Sequence, residues 1–99
     1  MIYYVDIDGT ILDTKNGDYE NSMPMRDRID KMNTLFDQGH EVHYYTARGT
    51  VSGLDWSDYT KKYLTKIGVK YTSCNTGKPH YDLWIDDKAT NSEDFFKWL

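Results

Sequence analysis

The segment "YYVDIDGTIL", residues 3–12, runs apolar until it ends in two carboxylates one residue apart, followed by Gly9-Thr10. Residues 2–7 are rich in β-formers, and a strand with no polar face suits a parallel sheet covered on both sides. Asp6 and Asp8 stand among Val5, Ile7 and Ile11. A strand bound for the core has no use for paired acids, but a strand that delivers them to a site does. In open α/β sheets ligands bind beyond the carboxyl ends of the strands.

The rest of the chain alternates strand and helix. Residues 11–22 are polar around Asn16-Gly17, a strong hairpin signal, and predict a small flap. Ser22 is expected to cap a helix with Pro24 in its first turn, and Met25, Ile29, Met32, Leu35 and Phe36 share one helical face. Gly39 is expected to stop it. "EVHYYT", 41–46, reads as a second strand, and "ARGTVSGL" as a loop. A second helix is expected over 55–67, with Trp56, Tyr59, Tyr63, Leu64 and Ile67 inward and Gly68 after it. Residues 69–72 read as a third strand, 73–80 as a turn region, and "DLWID", ending at Asp86, as a fourth strand. Ser92 is expected to cap a last helix burying Phe95, Phe96 and Leu99. The pattern predicts one α/β domain over 1–99: a three-layer, Rossmann-like arrangement with a mostly parallel sheet of about four strands.

Bulk properties narrow the function classes. Ninety-nine residues make one modest core. A net charge of −4 supplies no basic field for nucleic acid. No apolar run is long enough to span a membrane, and the first residues lack the pattern of a signal peptide. The single Cys74 cannot form an internal disulfide, which fits a reducing cytoplasm. It reads as a small buried residue rather than a nucleophile.

The expected strand ends bring chemistry together. Strand one contributes Asp6 and Asp8, strand two Thr46 and Arg48, and the fourth strand Asp86 and Asp87, with Lys78 just before it. Four carboxylates, a hydroxyl and two cations suit phosphoryl transfer. Clustered acids need a cation, and oxygen ligands without His or Cys favour Mg²⁺. Asp6 can attack phosphorus and carry an aspartyl-phosphate. Asp8 can protonate the leaving oxygen and then activate water. Thr46 and Lys78 can hold the phosphoryl oxygens. Arg48 is open between substrate contact and a surface ion pair. His40, His43 and His80 lack metal-ligand spacing and read as structural, with His80 nearest the expected site.

"DIDGT" (6–10), Thr46, Lys78-Pro79 and Ile85-Asp86-Asp87 together resemble the four signature motifs of the haloacid dehalogenase superfamily. The resemblance spans residues 6–87, nearly the whole chain. It implies a Mg²⁺-dependent phosphatase with Asp6 as nucleophile and metal ligand. Asp8 would be the general acid/base, with its carbonyl on the metal. Thr46 and Lys78 would bind the phosphoryl group, Asp86 the metal, and Asp87 would assist through the surrounding shell. Only 37 residues separate Asp8 from Thr46 and 31 separate Thr46 from Lys78, so the chain resembles members without a cap domain. "KPHYDLWIDD" looks like small phosphatases of sugar or capsule biosynthesis, including phage-borne ones.

The function expected is hydrolysis of a phosphomonoester, a sugar phosphate or nucleotide, with no membrane or nucleic-acid partner and with a homodimer allowed. The competing class is a receiver-like module phosphorylated on Asp without turnover. Asp8 argues against it, because a long-lived phospho-aspartate has no use for a second acid two residues on.

Overall fold

In the computed structural model, which describes residues 1–98, the chain runs β1 (Ile2–Asp6), β2 (Leu12–Asp13), a 3₁₀ turn (Tyr19–Asn21), β3 (Met23–Pro24), α1 (Arg26–Asp37), β4 (Glu41–Tyr45), α2 (Ser57–Lys66), β5 (Ser73–Asn75) and α3 (Ser92–Phe95). Strands β1, β4 and β5 form a parallel sheet in that order, with Ile2 opposite Glu41 and His43 opposite Ser73. Strands β2 and β3 make a separate antiparallel ribbon. This is an α/β fold on a mostly parallel sheet of three strands.

The helices form where the apolar spacing placed them. Ile29, Met32 and Leu35 of α1 and Leu64 of α2 are buried against Val42 and Tyr44 of β4. Gly39 ends α1 at φ 94°, and the amides of Gly39 and His40 return to the carbonyls of Phe36 and Leu35. Gly68 closes α2 in the same way, through the carbonyls of Thr65 and Leu64. In α2 the inward polar position is Thr60, fully buried, while Tyr59 is exposed and meets Trp56 edge-on.

The start of α1 differs from expectation. Pro24 pairs with Leu12 in the ribbon, the Met25 amide bonds to the Ile11 carbonyl, and the helix begins at Arg26. Ser22 does not cap it, because its hydroxyl is engaged with Thr14 and Arg48. The flap itself forms. Asn16 and Gly17 both take positive φ, 52° and 71°, in a turn closed by the Asp18 amide on the Lys15 carbonyl.

Two expected strands are absent at their expected places. Residues 69–72 are spent on closure: the Val69 amide caps α2 and the Lys70 amide bonds to Asn33. Thr72 bridges to Val42 by side chain and amide, so the ladder starts one residue later. "DLWID" is not a strand. The Asp86 carboxylate accepts from the Lys88 amide, a local turn bond that competes with a ladder. Leu83 and Ile85 stand 76% and 87% exposed.

Alternation along β4 buries Val42 and Tyr44 on the helix side, while on the opposite face Tyr4 is 69% exposed and stacks on His43. Asn91 rather than Ser92 caps α3, accepting from the Glu93 amide. Phe96 is buried against Arg28, Phe95 is partly exposed, and Leu99 lies outside the described residues. No helix among the described residues is long and apolar enough to cross a membrane.

Tyr44 offers a test of the core. It is fully buried, its hydroxyl finds no partner among the described residues, and burial pushes its ionisation well above the ordinary tyrosine range. An unsatisfied buried hydroxyl costs about 1–3 kcal/mol. Tyr44→Phe is expected to hold or raise stability by roughly 0.5–1 kcal/mol in urea melts, because part of the gain is lost to the small void. A loss of 1 kcal/mol or more would show that the hydroxyl has a partner in solution.

Candidate functional site

The turn after β1 builds the site. The Ile7 carbonyl accepts from the amides of Thr10, Ile11 and Leu12, and the Gly9 amide bonds to the Leu12 carbonyl. This winding turns the chain sharply at Asp8-Gly9. Ile7 is fully buried, so period-two alternation turns Asp6 and Asp8 to the other side. Both line a cleft of about 340 Å³ at the carboxyl end of the sheet, together with Thr14, Tyr19, Thr46, Arg48, Lys78, His80 and Tyr81.

Strand β4 delivers Thr46, whose amide bonds to the Asn75 carbonyl of β5. The Thr46 carbonyl in turn accepts from the Lys78 amide, and the Thr50 hydroxyl donates to the Lys78 carbonyl. These bonds anchor the Lys78 backbone at the mouth of the sheet. Its Nζ lies 3.3 Å from Asp6 Oδ1 and 5.2 Å from the Tyr81 ring centre. Burial draws the Lys78 amine down, but the Asp6 carboxylate and the Tyr81 side chain outweigh it and leave it above the ordinary lysine value. Burial pushes the Asp6 carboxyl up, against the attraction of Lys78 and a bond from the Ile7 amide.

Asp8 is bound differently. Its Oδ1 accepts from Thr14 Oγ1 at 2.6 Å and Arg48 Nη2 at 2.8 Å. Its Oδ2 accepts from Arg48 Nε at 2.9 Å and Thr46 Oγ1 at 3.3 Å. The Arg48 side chain is fully buried beneath Tyr19, with its guanidinium carbon 4.5 Å from the ring centre.

The structure therefore gathers Asp6, Asp8, Thr46, Arg48 and Lys78. It does not bring Asp86 and Asp87 to them: both are exposed and absent from the cleft lining. Among the described residues no three His, Cys, Asp or Glu side chains stand close enough to share a metal ion. His80 lines the cleft, while His40 bonds to the Met1 amine and His43 to Ser73 and Glu41. Thr14, Tyr19 and Tyr81 were not picked out by sequence. Thr14 and Tyr19 lie in the flap, where only a fold that closes back on Asp8 reveals them.

No family model matches the chain, and no curated protein matches it. The chain is similar to the crystal structure of an MCSG target from Vibrio cholerae, 28% identical, with a TM-score of 0.84 over 95% of this chain and 85% of that one. That likeness carries an architecture and no activity.

Proposed function

We propose that the protein is a phosphomonoesterase of the haloacid dehalogenase type, acting on a small phosphorylated substrate through a covalent phosphate on Asp6. The observation that carries this reading is the Asp6–Lys78 pair facing an open cleft beside a second, separately held carboxylate on Asp8. A nucleophilic carboxylate must be ionised, and the ammonium 3.3 Å away favours that form against burial. The same ammonium is placed to meet phosphoryl oxygens as negative charge spreads over them. Asp8 and Thr46 supply the second acid and a hydroxyl on the same rim.

The donors present are oxygen atoms of the kind a hard divalent ion takes. The cleft lining offers oxygen donors: the Asp6 carboxylate, which is held by Lys78 and the Ile7 amide, and the Asp8 main chain. That set suits Mg²⁺, which keeps several waters and is commonly held by one or two carboxylates and a substrate phosphate. Asp6 and the Asp8 carbonyl would hold it, and the ion would neutralise charge on the phosphoryl oxygens. Asp86 and Asp87 belong to the proposed ligand set by the motif resemblance alone.

Hydrolysis then divides between residues of this chain. Asp6 Oδ forms a bond to phosphorus as the ester P–O bond breaks, and Asp8, which must enter this step protonated on Oδ2 with the Thr46 hydroxyl turned away, gives the departing oxygen its proton. In the second half Asp8 takes a proton from water, whose oxygen attacks the phospho-aspartate and restores Asp6. The flap residues Thr14 and Tyr19 and the opposite wall of His80 and Tyr81 bound the space left for the alcohol part of the substrate. Sugar phosphates and nucleotides are the substrate classes to try first, as the sequence motifs imply.

Phosphate release from a panel of sugar phosphates, nucleoside monophosphates and p-nitrophenyl phosphate tests the reading. Turnover with Mg²⁺, abolished by EDTA and restored by added Mg²⁺, is the expected result. Stable labelling of Asp6 by acetyl phosphate with no turnover on any ester would point to the receiver-like alternative instead.

A further inference from the structure

We propose that Arg48 is a positioning residue that acts through Asp8, not on the phosphoryl group, and that it latches the flap to the sheet through the same carboxylate. The inference rests on the phosphatase reading and deepens it. Sequence alone left Arg48 between substrate contact and a surface ion pair; the structure fits neither. Its side chain is wholly buried. Nε and Nη2 bind the two oxygens of Asp8, Nη1 donates to Thr60 Oγ1 at 3.2 Å, and Nη2 also reaches Ser22 Oγ at 3.4 Å. All three guanidinium nitrogens are engaged within the chain, and the Tyr19 ring covers the group. Lys78, by contrast, is paired with Asp6 alone among the carboxylates of the described residues.

The consequence for Asp8 is geometric. A bidentate guanidinium fixes the plane of a carboxylate as well as its charge. Two donors on each oxygen leave Asp8 one orientation. The 3.3 Å contact to Thr46 is the longest of the four, so Oδ2 is the oxygen most easily shared with a leaving group.

The consequence for the flap follows from the same contacts. Thr14 bonds to Asp8, Ser22 contacts Arg48, and Tyr19 stacks over it. Three flap residues converge on one buried ion pair. The Ser22 carbonyl also accepts from the Tyr63 hydroxyl of α2. Loss of the guanidinium leaves the Asp8 carboxylate partly buried without its cation, and removes the platform under Tyr19.

The test compares wild type with Arg48→Lys on two substrates. p-Nitrophenyl phosphate has a leaving group that needs little protonation, while glycerol phosphate needs a proton in the transition state. Mispositioning Asp8 is expected to lower kcat/KM, which reports the first transfer and not the shared hydrolysis of the phospho-aspartate, about twentyfold on glycerol phosphate, with a loss below about threefold on the aryl ester. An Arg48 that binds the phosphoryl group would instead lower kcat/KM equally on both substrates, and that outcome overturns the proposal. Should Arg48→Lys fail to fold, Thr14→Val removes one Asp8 donor without removing charge, and the same selective loss is expected; an unchanged Thr14→Val overturns the proposal.

Hydrogen exchange separates this inference from the phosphatase reading. Amides of residues 13–22 are expected to exchange at least about tenfold faster in the Arg48 variant while α1 amides are unchanged. If wild type hydrolyses neither ester, the phosphatase reading fails, yet the latch still stands or falls on this exchange. Unchanged flap exchange overturns it.

Discussion

Asp6→Asn is expected to reduce phosphate release by at least about 10⁴-fold, because it removes the atom that bonds to phosphorus. The replacement is nearly isosteric and the site sits at a half-open rim, so the fold should survive. Lys78 would lose its only carboxylate partner among the described residues, 3.3 Å away. The check is steady-state phosphate release beside a thermal melt of the same preparation. A near-normal melt with activity gone ties the chemistry to Asp6. Activity within tenfold of wild type would mean that water attacks phosphorus directly, and the covalent mechanism would have to be abandoned.

Lys78→Ala carries the next largest effect, a loss of about 10³-fold in kcat, the scale of removing a preorganised charge from a transition state. A pH signature accompanies it. Burial pushes the Asp6 carboxyl up and Lys78 pulls it down. Removing the ammonium therefore raises the Asp6 pKa further, more of the nucleophile is protonated at a given pH, and the acid limb of the rate profile moves to higher pH. A profile with an unmoved acid limb would show that Lys78 serves the phosphoryl group without tuning Asp6.

Much of this arrangement was legible in the residues themselves. β1, β4, α1 and α2 could be read because burial imposes a period, and Ile29, Met32, Leu35 and Leu64 keep it. Asp6, Asp8 and Thr46 could be read because a strand end fixes where its last side chains emerge. Lys78 could be read from its place just before an expected fourth strand, and it stands at the site although that strand does not form. What stayed hidden depends on bonds between distant segments. Residues 69–72 resemble a strand in composition, but helix closure claims the Val69 amide and Asn33 the Lys70 amide. "DLWID" has strand propensity, yet propensity supplies no neighbour, and the Asp86 carboxylate captures the Lys88 amide. Arg48 was undecided because its partners sit at positions 8, 22 and 60, which no local pattern brings together.

The parallel pairing of β1 with β4 has a consequence for how this molecule can be altered. Joining Ile2 to Glu41 closes a loop of about 40 residues, and the flap lies wholly inside it. The entropy of closing such a loop grows only with the logarithm of its length, so ten extra residues cost roughly 0.2 kcal/mol. Insertions at the Asn16-Gly17 tip are thus almost free in folding terms, provided that Thr14, Tyr19 and Ser22 keep their places. The rim of the cleft can be lengthened or reshaped for a new alcohol while the sheet that holds Asp6 is left as it stands.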